Sequence, residues 1–353
     1  MQEVLFEELL TKLRELEPDR QLIEVEFDDI FSTDWSVLNP RTPSAIITLG
    51  NEYKMSRRAF FQLVKIMNHL LGTNTIDAKY LWSYPDVIAF KMPAHVMDYT
   101  VLRDTSIKRS HNRIKLMLHG DVITSIMSTN YVDYSNLQII ESFIKECEDK
   151  DLVPKSYTYK LDKYGDELEF IPIFQEFVEG TNLYGAGILI TNSQNKSLGF
   201  TISPIVKSTI CNNSILSWWS QTHRHDSGIA EFANVHLAVV YDLIDLAVDT
   251  YENYIAALDI NIDPTDMPQI LAWLRREFNL TKAHMVKLQE GVTSEFTTAE
   301  GTLFGLVSGI TYMVNFLDES RYDEGARLLR FAGRLLQLNE QDMLYFADIS
   351  GAK

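Results

Sequence analysis

The chain has 353 residues, 46% of them hydrophobic and 23% charged, which excludes wholesale disorder and a collagen-like or disulfide-rich chain. Its 32 Lys and Arg face 49 Asp and Glu, a net charge of −17, which argues against a generic coat for nucleic acid. Its two cysteines, Cys147 and Cys211, are too few for a disulfide framework or a structural zinc site. The start, Met1-Gln2-Glu3-Val4, has no signal-peptide character, and no apolar run reaches the roughly 18 residues a membrane span needs. A cytoplasmic protein of the host cell, with reduced thiols and no membrane segment, is expected.

Residues 1–17 read as an amphipathic helix with Val4, Leu5, Leu9, Leu13 and Leu16 on one stripe, stopped by Pro18. Short strands are expected at 22–27 and 45–49, and Asn39-Pro40-Arg41-Thr42-Pro43 is a loop. Ser56 has the character of an N-cap, with Phe60, Leu63, Val64, Met67 and Leu71 at helical spacing after it. Residues 73–112 are aromatic-rich and broken by Pro85 and Pro93. From Arg113 the period becomes two, and runs on either side of His119-Gly120-Asp121 predict a β-hairpin. Ser135 and Gln138 form a capping-box pattern ahead of a helix carrying Leu137, Ile140, Ile144 and Cys147. Strands follow at 156–162, 167–178, 184–191 and 198–210. After Gly228 the pattern is helical: one long helix runs to about 258, with Asp226 or Ser227 as its cap and Asp242, Asp245, Asp249 and Glu252 on its wet side. Further helices are expected near 266–278, 281–290, 298–317 and 322–338.

This order predicts an α+β fold: a central antiparallel sheet with an inserted helix, then a helical C-terminal region. Three stretches are distinguished: an acidic helix and extended segment at 1–54, a sheet domain at 55–227, and a helical region at 228–353 that has scope to pack on the sheet.

Several segments together resemble a known family. Met55-Ser56-Arg57-Arg58-Ala59-Phe60-Phe61-Gln62-Leu63, Asn130-Tyr131-Val132, Gly187 to Ser193, Cys211-Asn212-Asn213, Arg224-His225, and Gly301 to Val307 with Ile310-Thr311-Tyr312 are similar, in the same order, to landmarks of a phage/plasmid-like group, domain of unknown function 932. Gln194 stands where that pattern has an acid, and Asn213-Ser214 replaces its asparagine–glycine order. The resemblance implies a mobile-element origin and carries no chemistry with it.

The charge is unevenly placed. The first thirty residues hold ten acids and three bases, whereas residues 101–120 hold Arg103, Lys108, Arg109, Arg113 and Lys115 against Asp104 alone. With Tyr99 nearby, that stretch fits a single-strand binder, which combines a cationic groove with stacking platforms. Its plain alternative is a solvated loop balancing the acidic N-terminus. Arg224 joins it as a phosphate anchor. His223, His225 and Asp226 form the densest polar cluster. Histidines two apart on an extended segment point the same way and suit a metal, unless they only cap the following helix. Trp218 and Trp219 read as interface anchors or core. Cys211 would need a partnering base for nucleophilic work, for which His223 or His225 stands about a dozen residues on, and reads more simply as a buried, inert thiol. Spaced carboxylates at Asp242, Asp245 and Asp249 suit Mg²⁺ or, more simply, a solvated helix face. No P-loop, dinucleotide fingerprint or nucleophile elbow occurs.

The expectation is therefore a homo-oligomeric phage-type protein that binds single-stranded nucleic acid in replication or strand annealing, with no catalytic residues and no cofactor. The C-terminal helices would carry its subunit contacts. A second reading is an acidic interaction factor acting on a host DNA-binding or defence protein. A third is a metal-dependent hydrolase centred on His223, His225 and Asp226.

Overall fold

In the computed structural model of the chain, the structure describes residues 6–26, 44–48, 51–70, 113–194, 199–208, 214–217, 219–317 and 322–337. Two sheets and nine α-helices are present among them, with the strands in the N-terminal and central parts and the helices gathered toward the C-terminus. The fold is α+β.

The N-terminal helix α1 (Glu7–Leu16) leads through a turn of 3-10 helix, at Glu17–Asp19, into strand β1 (Arg20–Glu26). Next come β2 (Ser44–Thr48), β3 (Asn51–Met55) and helix α2 (Arg57–Leu70), followed by β4 (Arg113–His119) and β5 (Val122–Ser128). These five strands form one sheet in the order β1-β4-β5-β3-β2. The expected hairpin is β4–β5, turning at Gly120, whose φ of 56° suits glycine. One pairing is parallel, β3 beside β5, with Lys54 opposite Val122. Ser56 caps α2 as its sequence position suggests, accepting from the Ala59 N–H at 3.1 Å. Phe60, Leu63 and Val64 on the inner face of α2 are buried.

Helix α3 (Asn136–Asp149) separates this sheet from the second and starts with the expected reciprocal capping box of Ser135 and Gln138. The second sheet is built from β6 (Ser156–Leu161), β7 (Glu167–Glu179), β8 (Asn182–Ser193), β9 (Phe200–Ser208) and β10 (Ser214–Leu216), in sequence order and antiparallel throughout, with the short β11 (Gln221–His223) also pairing with β9. A β7 bulge after Ile173 brings the Pro172 carbonyl so close to β8 that a Cβ on Gly187 would lie 2.1 Å from its oxygen. Only glycine fits there.

Where one long helix is predicted after Gly228, two form: α4 (Ile229–Ala238) and α5 (Val240–Ala256), broken at Val239 with φ −99° and ψ 27°. Neither Asp226 nor Ser227 is the cap; that position is Gly228, whose N–H is taken by Asp226 Oδ1 at 3.0 Å. Helices α1, α3, α4 and α5 form a layer over one face of the second sheet. Their inner residues Phe6, Leu9, Phe143, Ala233 and Leu243 share one core with Phe170, Ile188, Ile190, Phe200 and Ile202. The core therefore crosses the sequence boundary at 228, and residues 6–26 contribute to both sheets' surroundings. Helices α6 (Met267–Glu277), α7 (Lys282–Val292), α8 (Leu303–Val314) and α9 (Tyr322–Leu335) complete a second core with Tyr184, Val206 and Ile215.

Candidate functional site

A seam of buried polar groups joins the ends of the two sheets. Arg20, the first residue of β1, has a side chain only 6% exposed. Its guanidinium pairs with Asp133 in the link between β5 and α3, and reaches Glu17 at 3.4 Å. With the Gln194 amide oxygen turned toward that guanidinium, Arg20 donates to it at 2.8 Å. The Tyr131 hydroxyl donates to the Gln194 carbonyl at 2.8 Å. Asn136, at the start of α3, donates to the Gly165 carbonyl at 2.6 Å and accepts from Asn192 Nδ2 at 2.8 Å. Because Asn192 also donates to the Tyr134 carbonyl, its own Oδ1 is left facing His225 Nε2 at 2.8 Å.

His225 is thus held on both sides by oxygen. Nε2 faces Asn192, Nδ1 lies 3.2 Å from the Val132 carbonyl, and the ring stacks on Tyr131 at 5.2 Å between centroids. Burial depresses its pKa below the ordinary histidine value, against the Val132 carbonyl and the Asp133 carboxylate, which both favour the protonated ring. Burial likewise pushes the Tyr131 hydroxyl well above its usual range, and the Asp133 charge adds to it.

The seam continues to β4 and β7. His119 Nε2 lies 2.9 Å from Asp166 Oδ1, and Asp166 is fully buried. Its Oδ2 has no hydrogen-bond partner among the described residues. Arg58 on α2 pairs with Glu167 at the start of β7. Burial, with the nearby Asp166 carboxylate, raises the Asp162 carboxyl to about 6. Apart from that Asp166 oxygen, these groups match one another across seven chain segments. An arrangement of that kind sets the register between two sheets, since a buried polar group left unmatched costs about 1–3 kcal/mol.

Four positions picked out by the sequence landmarks, Tyr131, Asn192, Gln194 and His225, meet in this seam although 94 residues separate the first from the last. Sequence reading missed Arg20, Asp133, Asn136, His119 and Asp166. A faint signal existed in the single polar residues closing apolar strands, His119 after Leu118 and Asn192 after the Ile188–Thr191 run.

The cluster His223, His225 and Asp226 does not converge on a metal. His223 Nε2 pairs with Asp226 Oδ1 at 2.9 Å on the surface and stacks on Phe232, whereas His225 points into the seam. Strand β11 ends at His223 and the chain turns, with Asp226 N–H donating to the Arg224 carbonyl, so the alternation that would align the two rings stops between them. Among the described residues no group of three His, Cys, Asp or Glu is placed to hold a metal ion. The Asp226 carboxyl is held below its usual range by the Gly228 N–H and by His223.

Of the cations expected to bind phosphate, Arg113 bridges to Glu26 at 2.8 Å and Glu24 at 3.3 Å on the neighbouring β1, and Lys115 donates to the Tyr131 carbonyl at 2.7 Å. Arg224 is exposed. Arg103, Lys108 and Arg109 lie outside the described residues, as do Trp218 and Cys211. Trp219 packs, partly buried, against the protein's own core near His236. Cys147 is fully buried, and burial pushes its thiol up to about 12.

The outer face of the helical layer is acidic. On α5, Asp242, Asp245, Asp249 and Glu252 are all exposed, at spacings of three and four that align them on one side. Glu7, Glu8 and Glu15 of α1 and Glu148 and Asp149 of α3 are also exposed in that layer. Of the layer's exposed cations, Lys12 and Arg14 are paired, to Glu8 and Glu141, and Lys145 of α3 is exposed as well. Asp249 and Glu252 also line a small cleft with Leu246, Thr250, Asn253 and Gln337. Among the described residues no helix is long and apolar enough to cross a membrane. Comparison with protein families, with curated proteins and with solved structures finds no match.

Proposed function

We propose that this protein acts by binding, and that its contact surface is the acidic outer face of α5 and its neighbours. The observation that carries this is the row of four exposed carboxylates on α5, which no cation neutralises among the described residues. A line of negative charges about 5–6 Å apart on a rigid helix offers a basic groove what a polyanion offers it. The partner class is therefore a cationic protein surface of the kind that otherwise holds nucleic acid, and a net charge of −17 steers such an encounter at long range. The ordered resemblance of the sequence landmarks to a phage/plasmid-like group supports placing that partner in the host of a mobile element. A second reading, direct binding of single-stranded nucleic acid, draws support from the exposed Arg224 and from the cationic stretch that includes Arg103, Lys108 and Arg109. It is weakened by the engagement of Arg113 and Lys115 within the protein.

The test is capture of host DNA-binding proteins on the immobilised chain, beside a variant with Asp242→Asn, Asp245→Asn, Asp249→Asn and Glu252→Gln, together with an electrophoretic shift assay on labelled oligonucleotide at low salt. Capture lost in the variant and displaced by free oligonucleotide is the expected result. Capture that the four substitutions leave unchanged overturns the proposal. An oligonucleotide shift that Arg109→Glu with Arg224→Glu abolishes establishes the second reading in its place.

A further inference from the structure

We infer that two copies of this chain join through strand β6, edge to edge, so that their larger sheets become one. Among the described residues, β6 is an edge strand that pairs only with β7. Its backbone polarity follows from one residue. Tyr157 lies opposite Pro172, which has no N–H, so this pair cannot exchange hydrogen bonds. The bonded pairs are then Ser156, Thr158 and Lys160 with Ile173, Ile171 and Glu169. The flanking bond at the far end agrees, Asp162 N–H donating to the Glu167 carbonyl at 3.2 Å; at the near end Lys155 N–H also turns in to the Ile173 carbonyl, at 2.7 Å, so the outward alternation starts at Tyr157. Tyr157, Tyr159 and Leu161 therefore direct their N–H and C=O groups outward, away from the sheet.

Sheet edges are normally guarded by charge, proline, a bulge or shortness. The other described edges follow that rule. Strand β1 carries Arg20, Glu24 and Glu26; β10 and β11 have three residues each; the β2–β3 pairing has a register shift. Strand β6 has none of these across its six residues apart from Lys160, whose side chain leans to Glu169 at 2.8 Å. Its sequence, Ser-Tyr-Thr-Tyr-Lys-Leu, is rich in strand-forming residues.

The strand is also complementary to itself. Antiparallel pairing about a two-fold axis at Tyr159 sets Tyr159 against its own copy and Tyr157 against Leu161, using all the outward groups of both strands. Tyr157, Tyr159 and Leu161 share the face already packed on the core beneath α1, so the pairing extends that apolar face across the axis. On the opposite face Thr158, which accepts from Lys207 Nζ at 3.0 Å, meets Lys160, whose charge is offset by Glu169 within its own copy. A register shifted by two residues in one direction sets Lys160 against Lys160, which is unfavourable; the shift in the other direction leaves Leu161 unpaired.

Light scattering on the full chain, with cysteine cross-linking, tests the pairing. The expected mass is twice that of the chain, falling to the monomer in Tyr159→Pro, which removes an outward N–H and no β6–β7 bond, and staying dimeric in Tyr159→Ala, which loses the same ring and its bond to Glu8 but keeps the N–H. In the predicted register Thr158 and Lys160 are a non-bonded cross-strand pair with Cα atoms about 4.5 Å apart, within disulfide reach. Mild oxidation of a mixture of Thr158→Cys and Lys160→Cys then gives a covalent dimer, and neither variant alone does. A monomeric parent chain overturns the inference, as does a dimer that persists in Tyr159→Pro. Cross-linking of either single variant with itself overturns the register.

Discussion

The seam between the sheets and the acidic face of the helical layer hold the same kinds of side chain under opposite conditions. Arg20, Asn192 and His225 have buried side chains, held by one another's neighbours and by the partly exposed Asp133. Asp242, Asp245, Asp249 and Glu252 stand in solvent with no internal partner among the described residues. Burial makes each polar group depend on its neighbour, because a charge that loses its counter-charge there has no water to replace it. Exposure removes that dependence and leaves the charge for an outside partner. The seam thus answers to stability measurements and the acidic face to binding measurements.

The largest effect expected from breaking this contrast is at Asp133. Asp133→Asn takes the nearer of two carboxylates from the buried Arg20 guanidinium and leaves Glu17, and urea denaturation should show a loss of about 2 kcal/mol. An effect below about 0.5 kcal/mol would remove the distinction between the two regions.

Asp162 should move stability the other way. Its folded pKa of about 6 lies above the ordinary 3.8, so the folded chain favours the protonated carboxyl. The stability this adds is complete below the ordinary value and is lost as pH rises through about 6. At pH 7 the ionised group works against folding. Asp162→Asn, which keeps an oxygen to accept from the Glu167 N–H, should therefore raise stability at pH 7 on the order of 1 kcal/mol. Urea midpoints of parent and variant should converge near pH 4.

His225 gives a smaller effect of opposite slope. Its pKa is depressed by burial, so the folded chain favours the neutral ring. That contribution is complete above the ordinary value of 6.5 and diminishes as pH falls below it. The difference in urea midpoint between the parent chain and His225→Gln should change below pH 6.5 and stay flat above it. Smallest of all, Asp245→Asn on the acidic face should alter stability by no more than about 0.5 kcal/mol.

Local chemistry made much of the architecture legible in the amino-acid sequence alone. Alternation around His119-Gly120-Asp121 gives the β4–β5 hairpin, Ser135 with Gln138 gives the start of α3, and the 3.6-residue stripes give α6 to α9. Each of these is settled by residues within a turn or two of one another. The break at Val239 is not, since no glycine or proline marks it and the apolar stripe Leu237, Val240, Ile244 runs through it unbroken. Nor is the parallel pairing of β3 with β5, or the two-residue difference that sends His223 to the surface and His225 inward. Periodicity states which face of an element is buried, but which element covers it is decided by packing between distant parts of the chain. The seam is the extreme case: its members come from segments that meet only once both sheets are formed, and their roles exist only in that meeting.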